Sequence, residues 1–417
     1  MGLLHCPLSC QPNKESYSDQ SHSTHLRSES SSSSLSSQSS LPSVPSLTPP
    51  SQESDQQSST TFHHCISTLK AHSSYIFSLT LAGKHLYSGS SDSQIRVWSR
   101  DPSRHDNKTH NLVAEGNSAA VKSIVFLGDK LFSAHQDHKI RVWKIDNDTV
   151  NHKYKCLTTL PTVKDSIFKL FSAKNYVKVR RHKKSTWVHH IDAISALALS
   201  RDGSLLYSVS WDRTFKVWRT SDFKCLESVW NAHDDAINGI VLSDDGFVYT
   251  GSADKKIKVW RKNEGEKKHS LVSTLEKHKS AVNALALSSD GSVLYSGACD
   301  RSIIVWEKDA GGGGDLVVAG ALRGHTKAIL CLAVVSDLVI SGSADKTVRI
   351  WRRGIGKSYS CLAVFEGHRG PVKCLTAAVD SCHGYNNGSG SGTSYLVYSG
   401  SLDSDIKVWQ TWVPFLH

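Results

Sequence analysis

Seven times after residue 62 an aspartate is followed six residues later by a tryptophan: Asp92 and Trp98, Asp137 and Trp143, Asp212 and Trp218, Asp254 and Trp260, Asp300 and Trp306, Asp345 and Trp351, Asp403 and Trp409. Constant spacing on this scale demands a repeat architecture before any single-core fold is considered. In each copy, strand-forming residues alternate with polar ones on both sides of the aspartate, as from Val248 to Trp260, so the copy reads as two short strands around a tight turn. A third strand precedes them, typified by Ala281 to Leu287 and closed by Ser289-Asp290-Gly291, and a fourth lies before that, as in Leu271 to Leu275.

Four strands in roughly 40 to 45 residues make one blade of a radial array, so the expected fold is all-β: a seven-bladed β-propeller over residues 62–417. Trp409 ends a third strand with eight residues left, whereas a strand at 65–69 precedes the first repeat. The N-terminal strand is therefore expected to complete blade seven, closing the ring and removing free sheet edges. The pattern resembles the WD-repeat family over nearly everything after the tail. One departure is that the residue after tryptophan is never aspartate: it is Ser99, Lys144, Arg219, Arg261, Glu307, Arg352 or Gln410. The stretch from Leu160-Pro161-Thr162 to Lys184, with Asn175 to His182 at its core, and the stretch from Asp245 to Trp260 also resemble the plant JINGUBANG-like WD-repeat proteins. That resemblance implies a plant regulatory adaptor, in a family associated with pollen, with no known enzyme activity.

Residues 1–61 are dominated by serine, with Pro42, Pro45, Pro49 and Pro50 and almost no aromatic or β-branched residues; they read as a disordered tail unable to offset its ordering entropy. Met1 to Cys6 lacks the basic start and long apolar core of a secretory signal, and no apolar run matches a bilayer span, so a cytoplasmic or nuclear protein is expected. Gly2 followed by Cys6 matches a myristoylation signal poorly. Ten scattered cysteines without a C-x-x-C pair argue against a zinc site and a disulfide framework, and no metal or other cofactor is expected. The net charge is +11, but the tail contributes −3, leaving +14 on the remainder and favouring acidic partners.

Six repeats carry a histidine 20 or more residues before the aspartate: His72, His190, His233, His278, His325 and His368. Each repeat also has a hydroxyl four residues before it: Ser88, Ser133, Ser208, Thr250, Ser296, Ser341 and Ser399. Serine, histidine and aspartate suggest nucleophilic catalysis, but a hydrolase needs one activated serine with an oxyanion hole, not a constellation distributed over the blades. The WD-repeat resemblance implies instead a structural hydrogen-bond tetrad, with histidine bridging aspartate to hydroxyl and tryptophan covering it. No catalytic residue is expected. Blade two carries Asn117 in place of histidine, with His135 and His138 in its turn, so its network is expected to be incomplete.

Aspartate turns and histidine loops share one propeller face, where a partner would meet the channel mouth. The residues after each aspartate are Ser93, His138, Arg213, Lys255, Arg301, Lys346 and Ser404. With Tyr75 and Trp211 as aromatic anchors, the expected partner-binding set is Tyr75, His138, Trp211, Arg213, Lys255, Arg301 and Lys346, facing acidic or disordered protein segments. A second basic series, Arg96, Arg141, Lys216, Lys258, Arg349 and Lys407, stands two residues before tryptophan and is expected to lie along the outward side of the third strand with its charges in water. The basic insert 160–188 contains Arg180, Arg181, Lys183 and Lys184, a candidate import signal, and residues 380–394 read as a flexible loop.

The leading functional expectation is a non-catalytic scaffold, monomeric as a ring and working within larger complexes. The alternative is nucleic-acid or anionic-membrane binding through the insert and rim. A cullin-RING substrate receptor is disfavoured because no repeat tryptophan begins Trp-Asp-x-Arg.

Overall fold

The computed structural model describes residues 44–48, 61–100, 111–114, 119–146, 153–163, 165, 176–180, 183–309, 316–380 and 392–415. Seven four-stranded antiparallel sheets form the blades. Their innermost strands are Ile76–Ala82, Val121–Leu127, Ile194–Leu199, Ile237–Leu242, Val282–Leu287, Ile329–Val335 and Val372–Val379. Each packs against the next, and the last returns to the first, so the array is a seven-bladed β-propeller.

The second strand of every blade is apolar or small because it lies between neighbouring blades. In His85–Ser90, Leu86 to Ser90 are all buried, and Phe247–Ser252 and Val293–Ala298 repeat the pattern. Blade contacts are close enough to exclude a side chain at some positions. A Cβ on Gly89 would lie 2.6 Å from Val121, and one on Gly400 would lie 2.7 Å from Ile76. The second approach joins blade seven to blade one.

Closure is completed along the outer edge. Phe62–Leu69 pairs antiparallel with Ile406–Pro414, from Phe62 opposite Trp412 to Leu69 opposite Ile406. The strand from before the first repeat thus becomes the fourth strand of blade seven.

Several sequence expectations require correction. Residues 44–48 of the segment read as disordered lie against the ring, because Val44 and Leu47 find apolar seats beside blade five. The segment read as a loop over 380–394 already enters strand Gly392–Ser401 at its end; 381–391 fall outside the described residues. In the basic series before tryptophan, Lys216 is fully buried rather than wet: its Nζ donates to the Trp187 carbonyl at 2.7 Å and the Ser228 hydroxyl at 2.6 Å. Arg141 is also buried, against Asp137. Cys299 is disulfide-bonded, whereas Cys65, Cys156, Cys225, Cys331, Cys361 and Cys374 are free.

Between blades two and three, Tyr176–Arg180 and Lys183–Thr186 pair as a two-stranded hairpin. Of the candidate import signal, Arg180, Lys183 and Lys184 take part in this pairing and Arg181 lies outside the described residues. No helix among the described residues is long and apolar enough to cross a membrane.

Candidate functional site

Six blades fasten the histidine loop to the aspartate turn by the same network. In blade one, His72 Nδ1 meets Asp92 at 2.8 Å, His72 Nε2 meets the Ser88 hydroxyl at 2.8 Å, and Trp98 Nε1 donates to that hydroxyl at 2.8 Å. Equivalent contacts join His190, Asp212, Ser208 and Trp218, then His233, Asp254, Thr250 and Trp260. They recur for His278, Asp300, Ser296 and Trp306, for His325, Asp345, Ser341 and Trp351, and for His368, Asp403, Ser399 and Trp409. With the tryptophan donating to the hydroxyl and the hydroxyl donating to Nε2, Nδ1–H is left to donate to the carboxylate.

These groups have the connectivity of a catalytic triad without its access. Ser88, Ser208, Thr250, Ser296, Ser341 and Ser399 are fully buried, so no substrate carbonyl can approach their oxygens. The carboxylates are held ionised. Burial alone would raise the Asp300 carboxyl, but the hydrogen bond and charge of His278, the Ser302 hydroxyl and the Lys279 amide outweigh it and hold it at about 2. The same opposition of burial and histidine contact leaves Asp212, Asp345 and Asp403 well below the usual carboxylate range.

Blade two solves the same problem differently. His135 Nε2 meets Ser133 at 2.8 Å, Trp143 donates to that hydroxyl at 2.9 Å, and His135 Nδ1 meets the Ala119 carbonyl at 3.3 Å. Asp137 is left to Arg141, at 2.6 Å. Asn117 lies outside the described residues.

The aspartate also shapes the rim. Its second oxygen accepts the amide two residues on, at 3.0 Å in Gln94, Thr214, Thr347 and Asp405. The residue between adopts positive φ in all seven blades: 69° at Ser93, 67° at His138, 69° at Arg213, 74° at Lys255, 71° at Arg301, 74° at Lys346 and 71° at Ser404. That conformation is unfavourable for a residue with a Cβ, and the aspartate's bonds to the flanking chain hold it there. His138, Arg213, Lys255, Arg301 and Lys346 project exposed from this rim.

A second sevenfold bond places the aromatic candidates beside the channel. The residue before each aspartate donates its amide to the residue before each innermost strand, as from Ser91 to Tyr75 at 2.9 Å and from Trp211 to Ala193 at 3.1 Å. Tyr75 stands where other blades have alanine or Pro371, and it is 45% exposed. Trp211 is half-buried at the channel mouth. Lys122 Nζ lies 3.7 Å from the Phe77 ring centroid and 5.4 Å from that of Trp211, and Phe77 lies edge-on to Tyr75. Blades one to three thus present a cation-aromatic cluster.

The cluster opens on a cavity of about 230 Å³ lined also by Asn238, Asn283 and Lys373. The two amides are already engaged between blades: Asn238 donates to the Val282 carbonyl at 2.9 Å and Asn283 to the Ile329 carbonyl at 2.8 Å.

Sequence reasoning missed Phe77, Lys122 and Lys373, although each immediately follows the Ile or Val that begins an innermost strand. It also missed how charge is distributed around the face. In blades three and four, Arg213 and Lys255 share the rim with exposed Asp192, Asp234 and Asp235. In blades five to seven, the histidine loops add exposed Lys279, Lys327 and Arg369 to Arg301 and Lys346. No ion pair engages these five cations among the described residues, and they outnumber the exposed Glu276 and Glu366 of the same loops, so positive charge predominates in this arc. No cluster of three or more metal-ligating side chains occurs among the described residues.

A ring of seven blades fastened by this repeated network defines a β-propeller. The WD domain, G-beta repeat family matches residues 63–99, 181–219, 223–261, 269–307, 317–352 and 359–410, more than half of the chain, and the chain belongs to that family. The matches leave out blade two, whose network departs from the other six. The chain is 32% identical over 202 residues to Protein ROOT INITIATION DEFECTIVE 3 of Arabidopsis thaliana, covering 45% of each protein. It is 25% identical over 201 residues to Autophagy-related protein 16 of Arabidopsis thaliana, covering 46% of this chain and 37% of that protein. Small ribosomal subunit protein RACK1 of Drosophila melanogaster is 31% identical over 102 residues, covering 24% of this chain and 30% of that protein. The chain spans less than half the length of these curated relatives.

Proposed function

We propose that this protein is a non-catalytic interaction scaffold that binds acidic, extended protein segments across its histidine-loop face. The basic arc of Lys279, Arg301, Lys327, Lys346 and Arg369, which makes no ion pair among the described residues, lies beside the aromatic channel mouth and carries the reading. A segment with carboxylates would follow the arc, while an apolar side chain enters near Phe77 and Trp211. Charge complementarity then sets encounter rate and register, and the aromatic anchors supply most of the affinity.

The JINGUBANG-like features at 160–184 and 245–260 support a finer reading as a plant regulatory adaptor acting in pollen. The Arabidopsis relative is consistent in kingdom. The basic hairpin keeps nucleic-acid or anionic-membrane binding as the competing outcome.

Titration of the full chain with a labelled acidic peptide containing interspersed leucines tests the assignment. Trp211→Ala together with Arg301→Gly and Lys346→Gly is expected to weaken binding by at least about tenfold. Glycine is the appropriate replacement at these two positions because it adopts positive φ without strain. Unchanged peptide affinity, with tighter binding of a single-stranded RNA of equal charge, would overturn it.

A further inference from the structure

On the outer edge of the ring, residues 44–48 occupy a groove between the outer strands of blades five and six, Leu316–Leu322 and Tyr359–Phe365. Ala321 donates its amide to the Pro45 carbonyl at 2.9 Å, Leu47 donates to the Ala321 carbonyl at 2.9 Å, and Tyr359 donates to the Leu47 carbonyl at 3.0 Å. The segment therefore runs parallel to the edge of blade five and is clasped by blade six. Proline costs no hydrogen bond at position 45, because the ring uses only its carbonyl. Arg323 donates to the Val44 carbonyl at 3.0 Å.

The groove has a notch for one side chain. A Cβ on Gly320 would lie 2.4 Å from Leu47 Cγ, and its three nearest atoms would all belong to Leu47. Leu47 packs there on the cluster containing Tyr295, Val305 and Tyr359. The corresponding outer-strand positions in other blades are Asn111, Thr158, Glu227, Ser273, Ala363 and Ser67. Glycine occurs only in blade five, where an extra segment is seated.

We propose that this groove is a second binding surface, independent of the basic face, for extended partner segments of the pattern Val-Pro-Ser-Leu, and that the chain's own tail occupies it as a competitor. Main-chain pairing supplies affinity, and the Gly320 notch selects the leucine, the division of labour expected of strand addition. Because the tail is tethered, its effective concentration is on the order of millimolar, and a partner must exceed that competition.

The test uses the full chain and a fluorescein-labelled peptide of residues 42–50. Leu47→Asp empties the notch. The peptide is expected to bind this variant at least about tenfold more tightly than the wild type, where the tail competes. Adding Gly320→Val to Leu47→Asp is expected to abolish binding, whereas adding Trp211→Ala leaves it unchanged. Circular dichroism and melting temperature establish that the ring is intact. Should Gly320→Val impair folding, Arg323→Ala in the Leu47→Asp background is expected to weaken the peptide severalfold without touching the core. Equal affinity for wild type and Leu47→Asp, no binding to Leu47→Asp, or binding insensitive to the Gly320 and Arg323 substitutions in folded protein would overturn the proposal.

Discussion

Blades two and three fasten the same junction with different partners for the histidine and the aspartate. In blade three, His190 and Asp212 connect two segments 22 residues apart through a bond to an ionised carboxylate. In blade two, the aspartate turns to Arg141 four residues away, and the upstream loop is held by His135 and a backbone carbonyl. Burial and the Arg141 charge depress the His135 imidazole to about 4. The comparison shows that the tetrad's conserved geometric outcome, a tryptophan-capped hydroxyl bonded to an imidazole, does not require histidine and aspartate to be partners.

The largest expected difference comes from truncating each imidazole. His190→Ala removes a charge-assisted bond and is expected to cost about 2–3 kcal/mol beyond the packing loss, whereas His135→Ala removes neutral bonds worth about 1 kcal/mol. Chemical denaturation of both variants measures the gap, and equal losses would break the comparison.

Acid should next separate blade two from blade five. His135 has a folded pKa below its unfolded value, so its contribution is present above about pH 6.5 and is lost as pH falls from there through about 4. Asp300 also has a lowered folded pKa, but its contribution is present above 3.8 and is lost only as pH falls through about 2. Exchange-detected protection of residues 131–146 is therefore expected to fall between pH 6.5 and 4 while that of 293–306 holds.

The smallest effect comes from converting blade two to the common arrangement. Asn117→His with His135→Ser supplies the imidazole at the position used by the other repeats and is expected to stabilise the ring by about 1 kcal/mol. Thermal melting reads the gain, and no gain would mean that the Arg141 contact is already an equal solution.

The Asp-Trp interval made the blades and their shared face legible because it is local and recurs in every repeat. Rim residues were accessible for the same reason: each follows an aspartate whose carboxylate sets its backbone. Lys122 and Phe77 escaped notice because their meeting depends on adjacent blades, although their common position after an Ile or Val was available. The basic arc was also present in the residues after the histidines, but separating it from the mixed rim required knowing which loops face outward. Val44 and Leu47 were hidden among serines and prolines. Their seat depends on Gly320, more than 270 residues away, and local composition cannot register such a match.

Hydrogen exchange of the full chain, with and without a saturating leucine-containing acidic peptide, tests the central claim most directly. Protection is expected at 73–77, 120–123, 211–214 and 279–283, with adjoining changes at 326–330 and 369–373. Protection confined to 176–186, with no change on the histidine-loop face, would contradict the account and assign binding to the basic hairpin.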